Sequence, residues 1–311
     1  MSEEDFERER GDRGCSKSAQ PAESPLLSSP RRKPDWLKVR AGGGKRFHEV
    51  EALLKEYHLD TVCREANCPN RGECYSQGTA TFLIMGPLCA RNCHFCNVTH
   101  GPLQPLDPEE PSNIARAVSI LGLRHAVITS VTRDDLADGG ASHFAEVIKS
   151  IRGLKKNITI EVLTPDFKGD LEALEIVLTQ RPDVFNHNVE TVPRLYRQVR
   201  PQADYGRSLT ILKAGSGREG ILVKSGIMLG LGENEKELQE LFIDLSQQGV
   251  QLLTIGQYLA PSRHHFPVVR YYSPAEFESI AALARHSGIK EVFAGPLVRS
   301  SYHAAEQFYT Q

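Results

Sequence analysis

Apolar residues recur along this chain in two rhythms. Short runs rich in β-branched and aromatic residues occupy Thr81–Met85, Ala126–Val131, Thr159–Leu163, Val184–Val189, Leu222–Leu229, Leu252–Tyr258 and Val292–Val298. Between most of them, at Ile114–Leu121, Phe144–Leu154, Leu171–Leu178, Glu237–Leu245 and Ala275–Ala284, apolar positions return every three or four residues. The first rhythm predicts buried strands and the second amphipathic helices. Strict alternation of the two predicts parallel strands with right-handed crossovers. Six or seven such units over about 220 residues suit a barrel better than two small domains. The expected fold is therefore α/β, a partial (β/α)6-type TIM barrel over residues 79–290.

The flanks read differently. Residues 1–45 are polar and rich in Ser, Pro and Gly, too poor in apolar surface to offset the entropy of ordering, and are expected to be mostly disordered. Asp35-Trp36-Leu37 breaks that pattern, and Trp36 is expected to dock on the body. Helical spacing from Phe47 to Leu59 opens an arm over residues 46–78, and residues 291–311 form a C-terminal closing segment.

Charge excludes several classes of function. Lys plus Arg number 37 against 39 Asp plus Glu, so no bulk field draws the chain to nucleic acid or to an anionic membrane. The longest nearly apolar stretch, Ala80–Ala90, is interrupted by Gly86 and Pro87 and is far below the ~20 residues of a membrane span. Five acids among the first ten residues argue against a secretory leader or a transit peptide, so a cytoplasmic location is expected.

Six of the seven cysteines fall between Cys63 and Cys96; Cys15, alone in the tail, reads as a plain thiol. Clustered cysteines in a chain of this length point to a reduced compartment and to metal or cluster ligation rather than disulfides. Cys89-x3-Cys93-x2-Cys96 places three thiols on one loop just after the first barrel strand, with Phe95 before the last. In parallel α/β folds that end of the sheet carries the active site. Arg133-Asp134-Asp135, Pro165-Asp166 and Glu190 fall there too, after the next three strands. Zinc sites usually have four ligands in paired Cys-x2–4-Cys spacing, which this loop lacks. Three cysteines on a [4Fe–4S] cube instead leave one iron open to a small ligand. Upstream, Cys63-x4-Cys68-x5-Cys74 is a second group of three. It suits either a second cluster with a non-cysteine ligand or a zinc knuckle completed by His48 or His58.

The Cys89–Cys96 spacing resembles the radical S-adenosylmethionine (SAM) superfamily. The wider pattern resembles the lipoyl synthase family within it, from about Lys33 to His303. It includes Glu65-Ala66-Asn67-Cys68-Pro69-Asn70, Arg133-Asp134-Asp135-Leu136, His187-Asn188-Val189-Glu190-Thr191-Val192 and Gly295-Pro296-Leu297-Val298-Arg299-Ser300-Ser301-Tyr302. The resemblance implies two [4Fe–4S] clusters: one on Cys89, Cys93 and Cys96 that splits SAM to a 5′-deoxyadenosyl radical, and an auxiliary one on Cys63, Cys68, Cys74 and Ser301. It implies two sulfur insertions, at C6 and C8 of an octanoyl group amide-linked to a lysine of a lipoyl-carrier domain, with two SAM consumed and the auxiliary cluster sacrificed. No side chain acts as acid or base on such carbons, so the cofactors carry the hard step. Implied partners are octanoylated carriers (the glycine cleavage H protein and the E2 subunits of 2-oxo acid dehydrogenases), a flavodoxin- or ferredoxin-type reductant and an iron–sulfur carrier protein. Asn188 and Glu190 are expected to hold the SAM ribose. Arg207 is either the partner of the SAM carboxylate or a solvated rim arginine. Gly226-x3-Gly230-x2-Glu233 marks close backbone approach to SAM or simple packing. His264-His265 reads as a pair of surface or packing residues rather than a metal site. Other sulfur inserters fit less well: tRNA methylthiotransferases carry an RNA-binding module and biotin synthase lacks the upstream cysteine group. A cluster scaffold without chemistry would need no barrel.

Overall fold

The computed structural model describes residues 32–39 and 42–309; Cys15 and most of the segment expected to be disordered lie outside these residues. Eight strands form one sheet in chain order. β1 (Asp60–Thr61) runs antiparallel to β2 (Thr81–Ile84). The parallel strands β3 (His125–Ser130), β4 (Thr159–Leu163), β5 (Val184–Asn186), β6 (Leu222–Leu229), β7 (Leu252–Gln257) and β8 (Glu291–Gly295) follow. The strands are covered on both faces, which is why they read as continuous apolar runs rather than alternating ones.

Helices α1 (Lys45–Glu56), α2 (Val62–Glu65) and α3 (Arg71–Ser76) build the arm. The crossovers use α4 (Glu110–Leu121), α5 (Ala141–Arg152), α6 (Leu171–Leu178), α7 (Tyr196–Val199), α8 (Tyr205–Gly215), α9 (Glu235–Gln247) and α10 (Pro274–His286), and α11 (Ala304–Tyr309) ends the chain's described part. Their starts are encoded locally. Asn234 with Glu237, and Ser273 with Glu276 ahead of Pro274, form capping boxes that satisfy the first orphan amides of α9 and α10. Each buries one stripe; α9 turns Leu238, Leu241, Phe242 and Leu245 inward.

The barrel interior is not wholly apolar. Lys224 Nζ donates to Glu161 Oε1 at 2.8 Å, with both side chains 1% exposed. Asn186 Nδ2 and His125 Nε2 approach the same carboxylate at 3.2 Å each. Below this cluster, Phe293 and Phe308 pack on Val184, Leu222 and Leu252, and Tyr309 Oη lies 2.9 Å from Thr159 Oγ1.

Among the described residues no pairing joins β8 back to β1, so the barrel is open. The C-terminal segment runs beside that opening. Asn70 Nδ2 of the arm donates to Leu297 O at 2.7 Å. A Cβ on Gly256 of β7 would stand 2.1 Å from Val298 O, so glycine is what lets the segment lie on the strand.

Trp36 docks as expected. Its indole Nε1 donates to Tyr272 O at 3.1 Å, and the neighbouring Leu37 is buried. Most strand ends fall within one residue of expectation, and two differ by three. β5 stops at Asn186 rather than Val189, because the chain turns into Glu190 at φ 66°. β8 stops at Gly295 rather than Val298, where Val298 N donates back to Gly295 O in a turn.

Candidate active site

The end of β2 is set by a change of backbone hand. Met85 and Gly86 take φ 69° and 85°, and the Met85 amide donates to buried Glu110 Oε2 at 2.9 Å. His143 Nε2 lies 2.5 Å from the same oxygen. The loop that follows carries Cys89, Cys93 and Cys96. Cys89 Sγ accepts backbone N–H groups from Arg91 at 3.4 Å and Thr132 at 3.3 Å, an environment that suits a thiolate.

Arg91, inside the motif, clamps the loop to the barrel. It donates to Asp134 Oδ2 at 2.7 Å and Oδ1 at 3.0 Å, and to Asp166 Oδ1 at 2.6 Å. Arg133 and Asp135 pair beside it at 2.8–2.9 Å. Asp166 is fully buried. Burial alone would push its carboxyl up, but hydrogen bonding and charge from Arg91 outweigh this and hold it at about 2.

The second group sits on the arm. Cys63 lies in α2, Cys74 in α3, and the Cys68 amide between them donates to Cys63 O at 3.1 Å. Ser301 falls between two anchors to this arm. Leu297 O takes the Asn70 amide on one side. On the other, Tyr302 Oη donates to Glu73 at 3.1 Å and His303 Nε2 lies 3.2 Å from the same carboxylate.

In both groups burial first, then mutual repulsion, pushes thiols upward. Cys63 reaches about 11, and Cys74 and Cys96 about 12. Three thiolates so placed coexist only against a compensating positive centre, so the donor sets fit an iron–sulfur cluster. Among the described residues no three Cys, His, Asp or Glu side chains converge as on a single metal ion. A cube spreads its thiolates around four irons instead, consistent with that spacing.

Between the groups lies the turn after β5. Glu190 N donates to Gly226 O at 3.0 Å, and Met228 N to Glu190 O at 2.9 Å. Burial pushes the Glu190 carboxyl up, opposed by the charge of Arg200, an Asn188 hydrogen bond and Arg299. Asn188 Nδ2 donates to Ser300 Oγ at 2.7 Å, and that hydroxyl lies 3.0 Å from Asn188 Oδ1. A Cβ on Gly226 would meet Asn188 Oδ1 at 2.7 Å and Ser300 Oγ at 3.0 Å. The close approach expected at this glycine is thus made by the protein's own groups. Gly230, at φ 102°, and Leu231 donate to Glu233 at 2.6 and 2.9 Å.

Arg207 points to Asp166, its Nη1 3.2 Å from Oδ2, with the side chain about a third exposed. Three further residues were not anticipated. Arg200 is buried, donates to Asn188 O at 2.9 Å and Val189 O at 3.2 Å, and leaves its buried Nε without a partner. Its charge reaches both Cys93 and Glu190. Arg299 feels the charges of Cys68 and Glu190, so it links the arm's cysteine group to the turn after β5. Arg91 was legible only as a cation within the cysteine spacing. Of the histidine pair, His265 packs against the loop, its Nε2 3.1 Å from Cys96 O, while His264 is exposed.

This geometry meets independent comparisons. Residues 83–245 match the model of the Radical SAM superfamily, over half of the chain, so the protein belongs to that superfamily. HydG, a maturase of the [FeFe]-hydrogenase, shares the fold with a TM-score of 0.54 at 15% identity, covering 79% of this chain and 63% of that one. Methylornithine synthase gives 0.50 at 14% identity, covering 84% and 86%. The chain is 55% identical to the lipoyl synthase of Alkaliphilus metalliredigens, over 89% of this chain and 96% of that protein. It is 53% identical to that of Methylococcus capsulatus, over 90% and 87%. Within the superfamily, the chain is a member of the lipoyl synthase family. Membership brings with it SAM and a [4Fe–4S] cluster. No helix among the described residues is long and apolar enough to cross a membrane.

Proposed function

We propose that this enzyme converts an octanoyl group, amide-linked to a lysine of a lipoyl-carrier domain, into the lipoyl cofactor by inserting sulfur at C6 and C8. The observation that carries the reading is the pairing of two three-cysteine groups around one interior, with Ser301 pinned to the arm through Leu297, Tyr302 and His303. When bound, the first cluster supplies an electron that splits SAM into an adenosyl radical, and the auxiliary cluster supplies the sulfur.

The chain's own residues divide that work. Cys89, Cys93 and Cys96 hold the first cluster, and Arg91 fixes their loop to the barrel rim. Cys63, Cys68, Cys74 and Ser301 hold the auxiliary one. Serine is a hard donor and binds iron less durably than a thiolate, which suits a cluster that is dismantled. Asn188 and Glu190 hold the ribose hydroxyls of SAM, which requires Asn188 to exchange its bond to Ser300 for the sugar. Arg207, or the unpartnered Nε of Arg200, meets the SAM carboxylate. No side chain serves as acid or base. The carriers are glycine cleavage H protein and E2 subunits, and the setting is the cytoplasm. Each methylene of the octanoyl chain adds about 0.8 kcal/mol of burial, so contacts to the carrier must supply the rest of the selectivity.

Anaerobic reconstitution followed by iron and sulfide analysis tests this reading. About eight irons are expected, two cubes' worth. With SAM, dithionite and an octanoyl-lysyl peptide, mass spectrometry should record a gain of two sulfurs. Cys68→Ala should retain SAM cleavage and lose sulfur insertion. A parent protein with about four irons and no sulfur on the acyl chain would refute the substrate and the auxiliary cluster together.

A further inference from the structure

The loop bearing Cys89, Cys93 and Cys96 is laced on its outer side to two others. His94 N donates to Val199 O at 2.8 Å, and its Nδ1 lies 2.7 Å from Gln198 O. Asn92 N donates to Gln202 Oε1 at 2.7 Å. Phe266 N donates to His94 O at 2.8 Å, and His265 lies 3.1 Å from Cys96 O. These three loops share an unusual composition. Residues 86–106, 191–203 and 258–275 contain no Asp or Glu, although the chain has 39 acids in 311 residues. Their cations sort into two kinds. Arg91, Arg194 and Arg270 are consumed by ion pairs with Asp134, Glu237 and Glu276, and Arg200 is buried. Arg197 and Arg263 are exposed. The carboxylate next in sequence, Asp204, is engaged in capping α8.

Exposed arginines on segments that carry no carboxylate of their own attract an acidic partner and raise its rate of encounter. Their position decides which partner. This face touches the backbone of the Cys89–Cys96 loop itself, whereas Ser301 and the arm cysteines are tied to the C-terminal segment. We propose that Arg197 and Arg263 mark the docking surface of an acidic one-electron carrier protein, which delivers its electron across this loop. The inference rests on the reading that Cys89, Cys93 and Cys96 hold the redox centre: the carrier is oxidised by one electron and that centre is reduced by one.

The test compares the reconstituted parent with R197E/R263E, using reduced flavodoxin and, separately, dithionite. Flavodoxin-driven SAM cleavage should fall at least about tenfold in the variant, and dithionite-driven cleavage should not change. Binding of flavodoxin, followed by titration calorimetry, should weaken in parallel, with salt eroding binding to the parent far more than to the variant. Unchanged binding and unchanged flavodoxin-driven cleavage would overturn the proposal. So would a parallel loss with both reductants, which would make the two arginines braces of the loop. A loss confined to turnover of the octanoylated carrier would assign the face to that carrier and likewise overturn it. A parent that cleaves no SAM even with dithionite would instead refute the underlying cluster assignment, while the calorimetry still decides whether the face binds an acidic carrier.

Discussion

Replacing Lys224 by methionine isolates the ionic cluster inside the barrel. Glu161 would keep its charge and its bonds to His125 and Asn186 but lose its cationic partner, at a site where both side chains are 1% exposed. Breaking a buried pair from one side costs about 3–5 kcal/mol. At roughly 2–4 °C per kcal/mol for a chain of this size, Tm should fall by about 6–20 °C. The pH dependence identifies the cause. In the parent, burial would raise the Glu161 carboxyl, but Lys224 and His125 outweigh it and depress it from 4.5 to about 2. Its contribution is therefore complete above pH 4.5 and is lost as pH falls toward 2. Without Lys224 burial dominates and the carboxyl rises, so the variant is relieved as acid neutralises it. Its deficit should be largest at neutral pH and shrink as pH falls toward that of ordinary carboxylates. Adding Glu161→Gln should recover most of the loss, since no lone charge remains. Urea unfolding of the cluster-free chain, followed by circular dichroism, reads all three. A deficit below about 1 kcal/mol, or one independent of pH, or a double variant no better than the single, would refute the reasoning.

Three further outcomes are expected. Gly256→Ala places a methyl group 2.1 Å from Val298 O and pushes the C-terminal segment off β7; iron analysis should show the auxiliary cluster lost while the first is retained, without any change of cysteine. Arg91→Met should cost about 3 kcal/mol or more, and Arg207→Met, at a side chain a third exposed, about 1 kcal/mol, by the shift of the urea midpoint. Trp36→Ala removes the bond to Tyr272 O, worth about 1 kcal/mol, so trypsin should cut after Lys38 several-fold faster with no change in global Tm.

The parallel strands β2 to β7 were legible because they are largely buried on both faces and bounded by polar or glycine-rich turns, and β8 by its apolar run although only Val292 in it is fully buried. Helix α8 was not: Gly206, Ser208, Thr210 and Gly215 interrupt its apolar stripe, and only packing makes it a helix. Both cysteine groups were legible as groups from their spacing, because each lies within a short stretch of sequence. Arg200 and Arg299 were not, since an arginine becomes part of a site only by burial beside groups distant in sequence. The Asn188–Ser300 bond was hidden for the same reason; its partners lie 112 residues apart.

The bond between Asn70 and Leu297 spans 227 residues of chain. During synthesis both cysteine loops and most of the barrel leave the ribosome well before Leu297 and Ser301. On the proposed assignment, the first cluster's pocket can therefore form on the nascent chain, whereas the auxiliary one waits for the C-terminal segment. Delivery of the auxiliary iron would then be a late maturation step, and a premature stop just beyond β8 should leave a chain able to accept SAM but without a complete place to keep its sulfur.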